Sequence, residues 1–340
     1  MATSLATKYR PKTFDELCGQ NVTVDILKRQ VANKSFGHSY LFVGKSGAGK
    51  TSAARLFANM INNGAGNPIE IDAASNNGVD AVRSIVEDAR LRSFDSEYKV
   101  IIEDEAHANT SQAWQALLKC IEEPPKYTIF IFCTTESQKI PQTIINRCQK
   151  FTFGNIPSDL IEQRLKYICS QEGFSFEDDA INYIAKISNG GMRDAITNLE
   201  TCSGLSTNIT LDCVIKTLGV CNYDTYMNIL QNMLSQNAAN VTYCVDNLKN
   251  SGKDLKVFLD GYTNFILEMS KYVMYNKNMS ITNLPNYLQP QVDAATSFEN
   301  ALDYYMYILN RLISTKNEIK NNTNIDTVII ANFMRITACK

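Results

Sequence analysis

Gly44-Lys45-Ser46-Gly47-Ala48-Gly49-Lys50-Thr51 is the stretch that decides the fold. It satisfies GxxxxGK[ST] at every specified position. It follows the apolar run His38-Ser39-Tyr40-Leu41-Phe42-Val43 and leads into residues 51–61, whose spacing predicts a helix. Glycines let the backbone curl so that N–H groups face phosphate oxygens, and the helix N-terminus behind them adds its dipole. Lys50 is expected to reach the β- and γ-phosphates of a nucleoside triphosphate, and the Thr51 hydroxyl to bind Mg²⁺. Gly44, Lys45, Ser46, Gly47, Ala48, Gly49, Lys50, Thr51 and Ser52 are therefore the expected nucleotide contacts. The motif alone licenses binding and says nothing of hydrolysis.

Outward from the loop, strands and helices alternate. Ile69-Glu70-Ile71-Asp72 reads as a strand, and from Val79 the residues Val82, Ile85, Val86 and Ala89 recur at helical spacing. Residues 99–103 form a further strand. A helix follows with Trp114, Leu117, Leu118 and Ile121 on one face, stopped by Glu123-Pro124-Pro125. Residues 127–134 are a continuous apolar strand, as the middle of a parallel sheet requires. Repeated βα units of this kind predict a doubly wound α/β domain over residues 1–155. After Phe153 the strands are expected to stop. Short helices are predicted over 160–169, 178–188 and 192–202, within a small helical domain at 156–220. From Asp224 the period is helical throughout, with one stripe of Leu255, Phe258, Leu259, Tyr262, Ile266, Met269 and Val273. A second comprises Tyr305, Ile308, Leu309 and Leu312, with Asn-rich breaks at 275–285 and 320–324. An all-α domain is expected over 221–340, most of its stripes serving as bundle core.

The chemistry is carried by Val100-Ile101-Ile102-Glu103-Asp104-Glu105. An apolar strand ending in two acids, at the end where α/β sheets place their sites, complements a phosphate loop. Asp104 is expected to hold the Mg²⁺ shell and Glu105 to activate the attacking water, which separates the chain from kinases that pass phosphate to a small acceptor. His107 makes an Asp-Glu-Ala-His string, but no other helicase motif accompanies it, and a role in orienting the loop is the simpler reading. Thr134 and Thr135, ending the apolar strand, offer hydroxyls toward a γ-phosphate or a water.

Bulk composition fits this reading. Of 340 residues, 44% are hydrophobic and 20% charged, a globular composition with core material for two or three domains. A net charge of -2 excludes a uniformly basic nucleic-acid binder but leaves local basic surfaces and helix N-termini available for phosphate contact. The ten cysteines (18, 120, 133, 148, 169, 202, 213, 221, 244 and 339) contain no CxxC spacing, and most read as small buried hydrophobes in a reducing compartment. No secretory signal is visible around Lys8, Arg10 and Lys12, and the apolar runs are strand-length, so no membrane association is expected and a cytoplasmic location is.

Several collinear segments resemble the clamp-loader ATPases of the AAA+ class, and most closely the bacterial polymerase III gamma/tau type. They are Lys8-Tyr9-Arg10-Pro11-Lys12-Thr13-Phe14-Asp15-Glu16-Leu17 with Gly19-Gln20, Glu70-Ile71-Asp72-Ala73-Ala74-Ser75, Ala116-Leu117-Leu118-Lys119 with Glu122-Glu123-Pro124-Pro125, and Thr134-Thr135 with Gln138-Lys139-Ile140-Pro141. The resemblance runs from about residue 5 to about residue 220 and continues beyond only as a helical pattern. It implies an α/β P-loop AAA+ domain with a parallel sheet, a helical lid and an all-α collar. It also implies that Tyr9, Arg10 and Pro11 cover the adenine, that Thr135 (with Thr134 as alternative) senses the γ-phosphate, and that Arg193 of Gly191-Met192-Arg193-Asp194-Ala195 does so from the lid. Arg147 of Asn146-Arg147-Cys148 is then an arginine finger reaching a neighbouring subunit's site, although position 146 is Asn where this family carries Ser. The implied activity is ATP hydrolysis that opens a sliding clamp and places it on primer-template DNA. Alternatives are a Holliday-junction branch-migration motor, a replication-factor-C-like small subunit, or a structural subunit that binds nucleotide without turnover. The implied partners are other loader subunits in a homo- or hetero-pentamer, the clamp, and DNA, the last touched through Asn76, Asn77, Arg83, Thr110, Ser111 and Gln112. The implied cofactors are ATP and Mg²⁺. Bacterial members usually carry a four-cysteine zinc module after the P-loop helix; here Asn62-Asn63-Gly64-Ala65-Gly66 runs directly to the next strand, so no zinc is expected. The tau-type extension is likewise expected to be absent from this chain. The resemblance leaves a bacterial cytoplasm or, for a viral gene, that of its host.

Overall fold

The computed structural model describes residues 3–218, 221–282, 284–285, 288–320, 322 and 324–338. Contacts divide the chain into two compact units at Ile209/Thr210. In the first, a short helix α1 (Leu5–Lys8) and a 3-10 turn (Phe14–Glu16) lead into α2 (Asn21–Ala32), followed by β1 (Ser39–Gly44) and α3 (Lys50–Ile61). Then come β2 (Ile69–Asp72), α4 (Val79–Ala89), β3 (Lys99–Asp104), α5 (Ser111–Glu122), β4 (Thr128–Thr134), α6 (Gln142–Ile145) and β5 (Gln149–Phe153). The unit closes with α7 (Ser158–Glu172), β6 (Ser175–Phe176), α8 (Asp178–Ile187), α9 (Met192–Ser203) and β7 (Asn208–Ile209). The domains expected over 1–155 and most of 156–220 thus share one unit.

The five-stranded sheet is ordered β2-β3-β4-β1-β5 and parallel throughout. Every residue of β4 is buried, as its uninterrupted apolar run predicts for a strand covered on both faces. One face packs Phe42, Phe57, Ile102 and Ile131; the other packs Leu41, Val82, Ile101, Trp114, Leu117 and Phe132. Successive residues of β1 and β3 therefore feed opposite layers, the period-two signature of a sheet with helices on both sides. The helix before Pro124 ends at Glu122, because proline disfavours helical backbone in the residue preceding it.

One expectation fails here: strands do not stop after Phe153. Ser175–Phe176 and Asn208–Ile209 pair in parallel as a two-stranded ribbon that ties the ends of the three-helix region together. Two residues per strand are too few for any alternation to be legible. Helix α2 also went unread, and the edge strand β5 alternates burial over only five residues.

The second unit is helical. It contains α10 (Leu211–Thr217), α11 (Tyr223–Leu234), α12 (Ala238–Asn250), α13 (Leu255–Met274), α14 (Gln289–Ala295), α15 (Ala301–Lys320) and α16 (Ile325–Ala338). The predicted stripes are its core, enriched in packed aromatic rings, mostly tilted to one another: the contacting pairs among Phe258, Tyr262, Phe265, Tyr226 and Phe333 have centroids 5.3–6.0 Å apart. Val273 is partly buried at its margin. The first expected Asn-rich break falls between α13 and α14 and the second between α15 and α16, although residues 283, 286, 287, 321 and 323, like Cys339, lie outside the described residues. Among the described residues no helix is long and apolar enough to cross a membrane.

Candidate nucleotide site

The phosphate loop starts where β1 meets its neighbours. Gly44 pairs with Phe153 of β5, and a Cβ there would lie 2.4 Å from the Phe153 carbonyl oxygen. The first glycine of the motif is required by this close strand approach. Gly47, at φ +72, serves two ends: its backbone is left-handed, and an added Cβ would meet Gly191 Cα at 3.1 Å. Its carbonyl accepts a hydrogen bond from Met192 N at 3.1 Å, and Lys45 Nζ donates to Asn189 O at 3.2 Å. The loop is thereby fastened to the start of α9. Gln20 fixes the other side, donating to the carbonyls of Ala48 (3.4 Å) and Gly154 (2.8 Å).

Lys50 is 6% exposed, and its ammonium donates to Gly44 O at 2.9 Å and Lys45 O at 3.0 Å. The loop thus curls around a buried cation. Thr51 Oγ1 donates to Asp104 Oδ2 at 2.7 Å, bringing the first residues of α3 against the end of β3. These are hard oxygen donors, the chemistry Mg²⁺ selects when water and phosphate fill its remaining positions. Glu105 stands beside them at φ 49, ψ 40. A left-handed glutamate is unusual, and the surrounding bonds hold it there. Its carboxylate accepts from Thr135 Oγ1 at 3.3 Å and lies 3.3 Å from His107 Nδ1. His107 also reaches Thr134 Oγ1 (3.1 Å) and Glu136 Oε1 (3.4 Å). The histidine therefore orients the acid loop, and Thr135, rather than the wholly buried Thr134, is the hydroxyl beside Glu105.

A cavity of about 290 Å³ opens in front of these groups. Tyr9, Arg10, Pro11, Ser46 to Ser52, Asp104, Glu105, Ile156, Met192, Arg193 and Ile196 are among its lining residues. The N-terminal segment is strapped across it. The Tyr9 hydroxyl donates to Glu172, Lys8 pairs with Glu172 at 2.6 Å, and Arg164 donates to Tyr9 O at 3.2 Å. Burial, and then the bond to Glu172, push the Tyr9 phenol up to about 12. Arg10 is lowered, first by burial and then by repulsion from Arg55, with Arg193 adding to it. Cations crowded around a cavity with a buried lysine at its floor favour a polyanion. The lining, the ammonium and the Thr51–Asp104 oxygens fit Mg²⁺ with a nucleoside triphosphate.

Residues 163–203 match the family model described as an RCF1/5-like AAA+ ATPase lid domain, and residues 66–157 match the model described as DNA polymerase III, delta subunit. The fold is the AAA+ one, a P-loop α/β domain followed by a helical lid. The chain is 36% identical over 275 residues to DNA polymerase III subunit gamma/tau of Mycoplasma genitalium, covering 74% of the chain and 46% of that protein. It is 34% identical over 286 residues to DNA polymerase III subunit tau of Bacillus subtilis, covering 78% and 51%. The chain spans about half the length of these relatives. Among solved structures, the Thermotoga maritima RuvB Holliday junction branch migration motor superposes with a TM-score of 0.52 at 21% identity, over 66% of this chain and 79% of that one. That likeness is one of fold.

Other expected site residues lie outside the cavity lining. Arg147 follows α6 and pairs with Glu122 Oε1 at 2.6 Å while donating to Thr143 O. Within its own chain it is a surface ion-paired arginine. Asn76, Asn77, Arg83, Thr110, Ser111 and Gln112 are all exposed, and Thr110 N donates to Asn77 O at 3.4 Å, which places the starts of α4 and α5 side by side. Arg83 is held by Asp80 in a solvated pair. Sequence reasoning missed the wall residues Arg164 and Ile156, the strap's partner Glu172, and the buried pair Glu103–Asn109. A glutamate inside an apolar strand run was the visible signal for the last.

Proposed function

We propose that this chain is an ATP-hydrolysing subunit of a DNA sliding-clamp loader. The observation that carries the reading is the Thr51–Asp104 contact at 2.7 Å, with Glu105 beside it in a cavity floored by Lys50. In this reading Lys50 stabilises charge on the β- and γ-phosphates. Thr51 and Asp104 hold Mg²⁺, which when bound supplies further positive charge against the transferring phosphoryl group. A Glu105 carboxylate oxygen accepts a proton from the attacking water, while Thr135 and His107 keep that carboxylate turned toward it. Tyr9, Arg10 and Pro11 cover the base. Arg193 reports the γ-phosphate through the Gly47–Met192 bond, so nucleotide binding biases the lid, residues 156–220. Arg147 leaves Glu122 to complete a neighbouring subunit's site.

The similarity to gamma/tau and tau proteins supports the replication setting, in which residues 221–340 form the collar of a pentamer. The paired starts of α4 and α5 then face primer-template DNA. Contacts from exposed amides and helix N-termini there go to phosphates and carry no sequence information. Such a protein works in the cytoplasm.

The test is the ATPase rate of the assembled loader with and without primed DNA and its clamp. DNA plus clamp is expected to stimulate wild type, and Lys50→Ala to abolish turnover. A rate indifferent to both DNA and clamp sinks the loader reading.

A further inference from the structure

Glu103 immediately precedes the metal-binding aspartate candidate and is only 3% exposed. In register it lies between Ile71 of β2 and Phe132 of β4. Its side chain follows the alternation of β3 to the face that packs Ile101, Trp114 and Phe132. A carboxyl in that layer requires a hydrogen-bonding partner, because burying it bare costs several kcal/mol, roughly. The partner is Asn109, whose Nδ2 donates to Glu103 Oε1 at 2.5 Å and whose Oδ1 is itself buried without a hydrogen-bond partner.

The two residues stand on either side of the loop that carries the chemistry. Between them run Asp104, the left-handed Glu105 and the 3-10 turn Ala106–Ala108; beyond Asn109, Thr110 caps α5. Local bonds inside the loop, Glu105 N to Asp104 Oδ1 and Ala108 N to Glu105 O, shape it, and His107 ties its middle to Thr134 at the end of β4. The Glu103–Asn109 bond closes its base. We infer that Glu103 and Asn109 are positioning residues whose hydrogen bond holds the Glu105 loop in its hydrolytic conformation. The inference rests on the reading of Glu105 as the water-activating carboxylate. A purely structural pair predicts a different outcome, since replacing both members of a buried polar pair by apolar side chains is close to neutral for stability.

The test is therefore the double variant Glu103→Leu/Asn109→Leu in the assembled loader, with Glu105→Gln in parallel. The double variant is expected to keep its melting temperature and its KM for ATP while kcat falls by about 10-fold or more, the scale on which slightly misplaced catalytic groups act. Glu103→Gln keeps an acceptor for Asn109 and is expected to hydrolyse at near wild-type rate. Wild-type kcat in the double variant, with Glu105→Gln inactive, overturns the inference and leaves the role of Glu105 standing. Full activity in Glu105→Gln overturns that role, and the inference with it. Should the double variant not fold, Asn109→Ala is compared with Glu103→Gln: a kcat loss confined to the former supports the link, and equal rates refute it.

Discussion

Replacing Gly44 by alanine tests why the phosphate loop begins with glycine. Gly44 is absent from the positive-φ glycines, so left-handed backbone is not the reason. The reason is distance. The new Cβ would lie 2.4 Å from Phe153 O, 2.8 Å from Phe153 Cβ and 3.2 Å from Phe153 C, where ordinary contact begins at 3.4 Å. The nearest obstacle is backbone, so β1 and β5 must part by close to an ångström. Overpacking of this kind costs about 1–3 kcal/mol. In a unit of this size each kcal/mol lowers Tm by about 2–4 °C, so the first unit is expected to melt about 2–12 °C lower. Because the Gly44 carbonyl accepts from Lys50 Nζ, nucleotide affinity should fall as well. Scanning calorimetry of the full chain and titration with a fluorescent nucleotide measure both. Gly78→Ala, where a Cβ meets nothing within 4 Å, is the control and should cost under about 1 kcal/mol. A Gly44→Ala protein with unchanged Tm and affinity would falsify the steric argument.

Two other outcomes are expected. Arg147→Ala and Lys50→Ala subunits, each expected to be inactive alone, should regain part of the wild-type ATPase when mixed, because an intact site in one can receive the intact arginine of the other; no recovery on mixing rules out a finger acting between subunits. Burial pushes the Glu103 carboxyl from 4.5 up to about 7, against the Asn109 bond. The native state therefore holds this proton more tightly than the unfolded chain. Its contribution to stability is present below pH 4.5 and is lost as pH rises through 7, about 3 kcal/mol in all. Glu103→Gln should flatten the loss of first-unit stability between pH 5 and 8; an unchanged pH profile counts against it.

Much of the fold was legible because its signals are local. Ile69–Asp72 was read to the residue, and the Gly44–Thr51 and Asp104–Glu105 motifs fell at the expected strand ends. What escaped reading depends on contacts between distant positions. Tyr9 and Glu172 meet across 163 residues, and the β6–β7 ribbon joins segments over thirty residues apart with two residues each. Glu103 and Asn109 are near in sequence but face each other only because the intervening turn reverses the chain. Arg147 illustrates a different limit: its own chain offers it Glu122, and a role between subunits leaves no trace within one subunit.

The place of β4 between β1 and β3 sets a width. Adjacent strands lie about 4.8 Å apart, so the strand that launches the phosphate loop and the strand that ends in the acids are separated by about 10 Å. Side chains from α3 bridge that interval at Thr51, and Glu105 and Thr135 border what remains of it. The gap is a ruler made of main-chain hydrogen bonds. Substitutions at Thr51, Glu105 or Thr135 leave that ladder in place and change only what stands at its two edges.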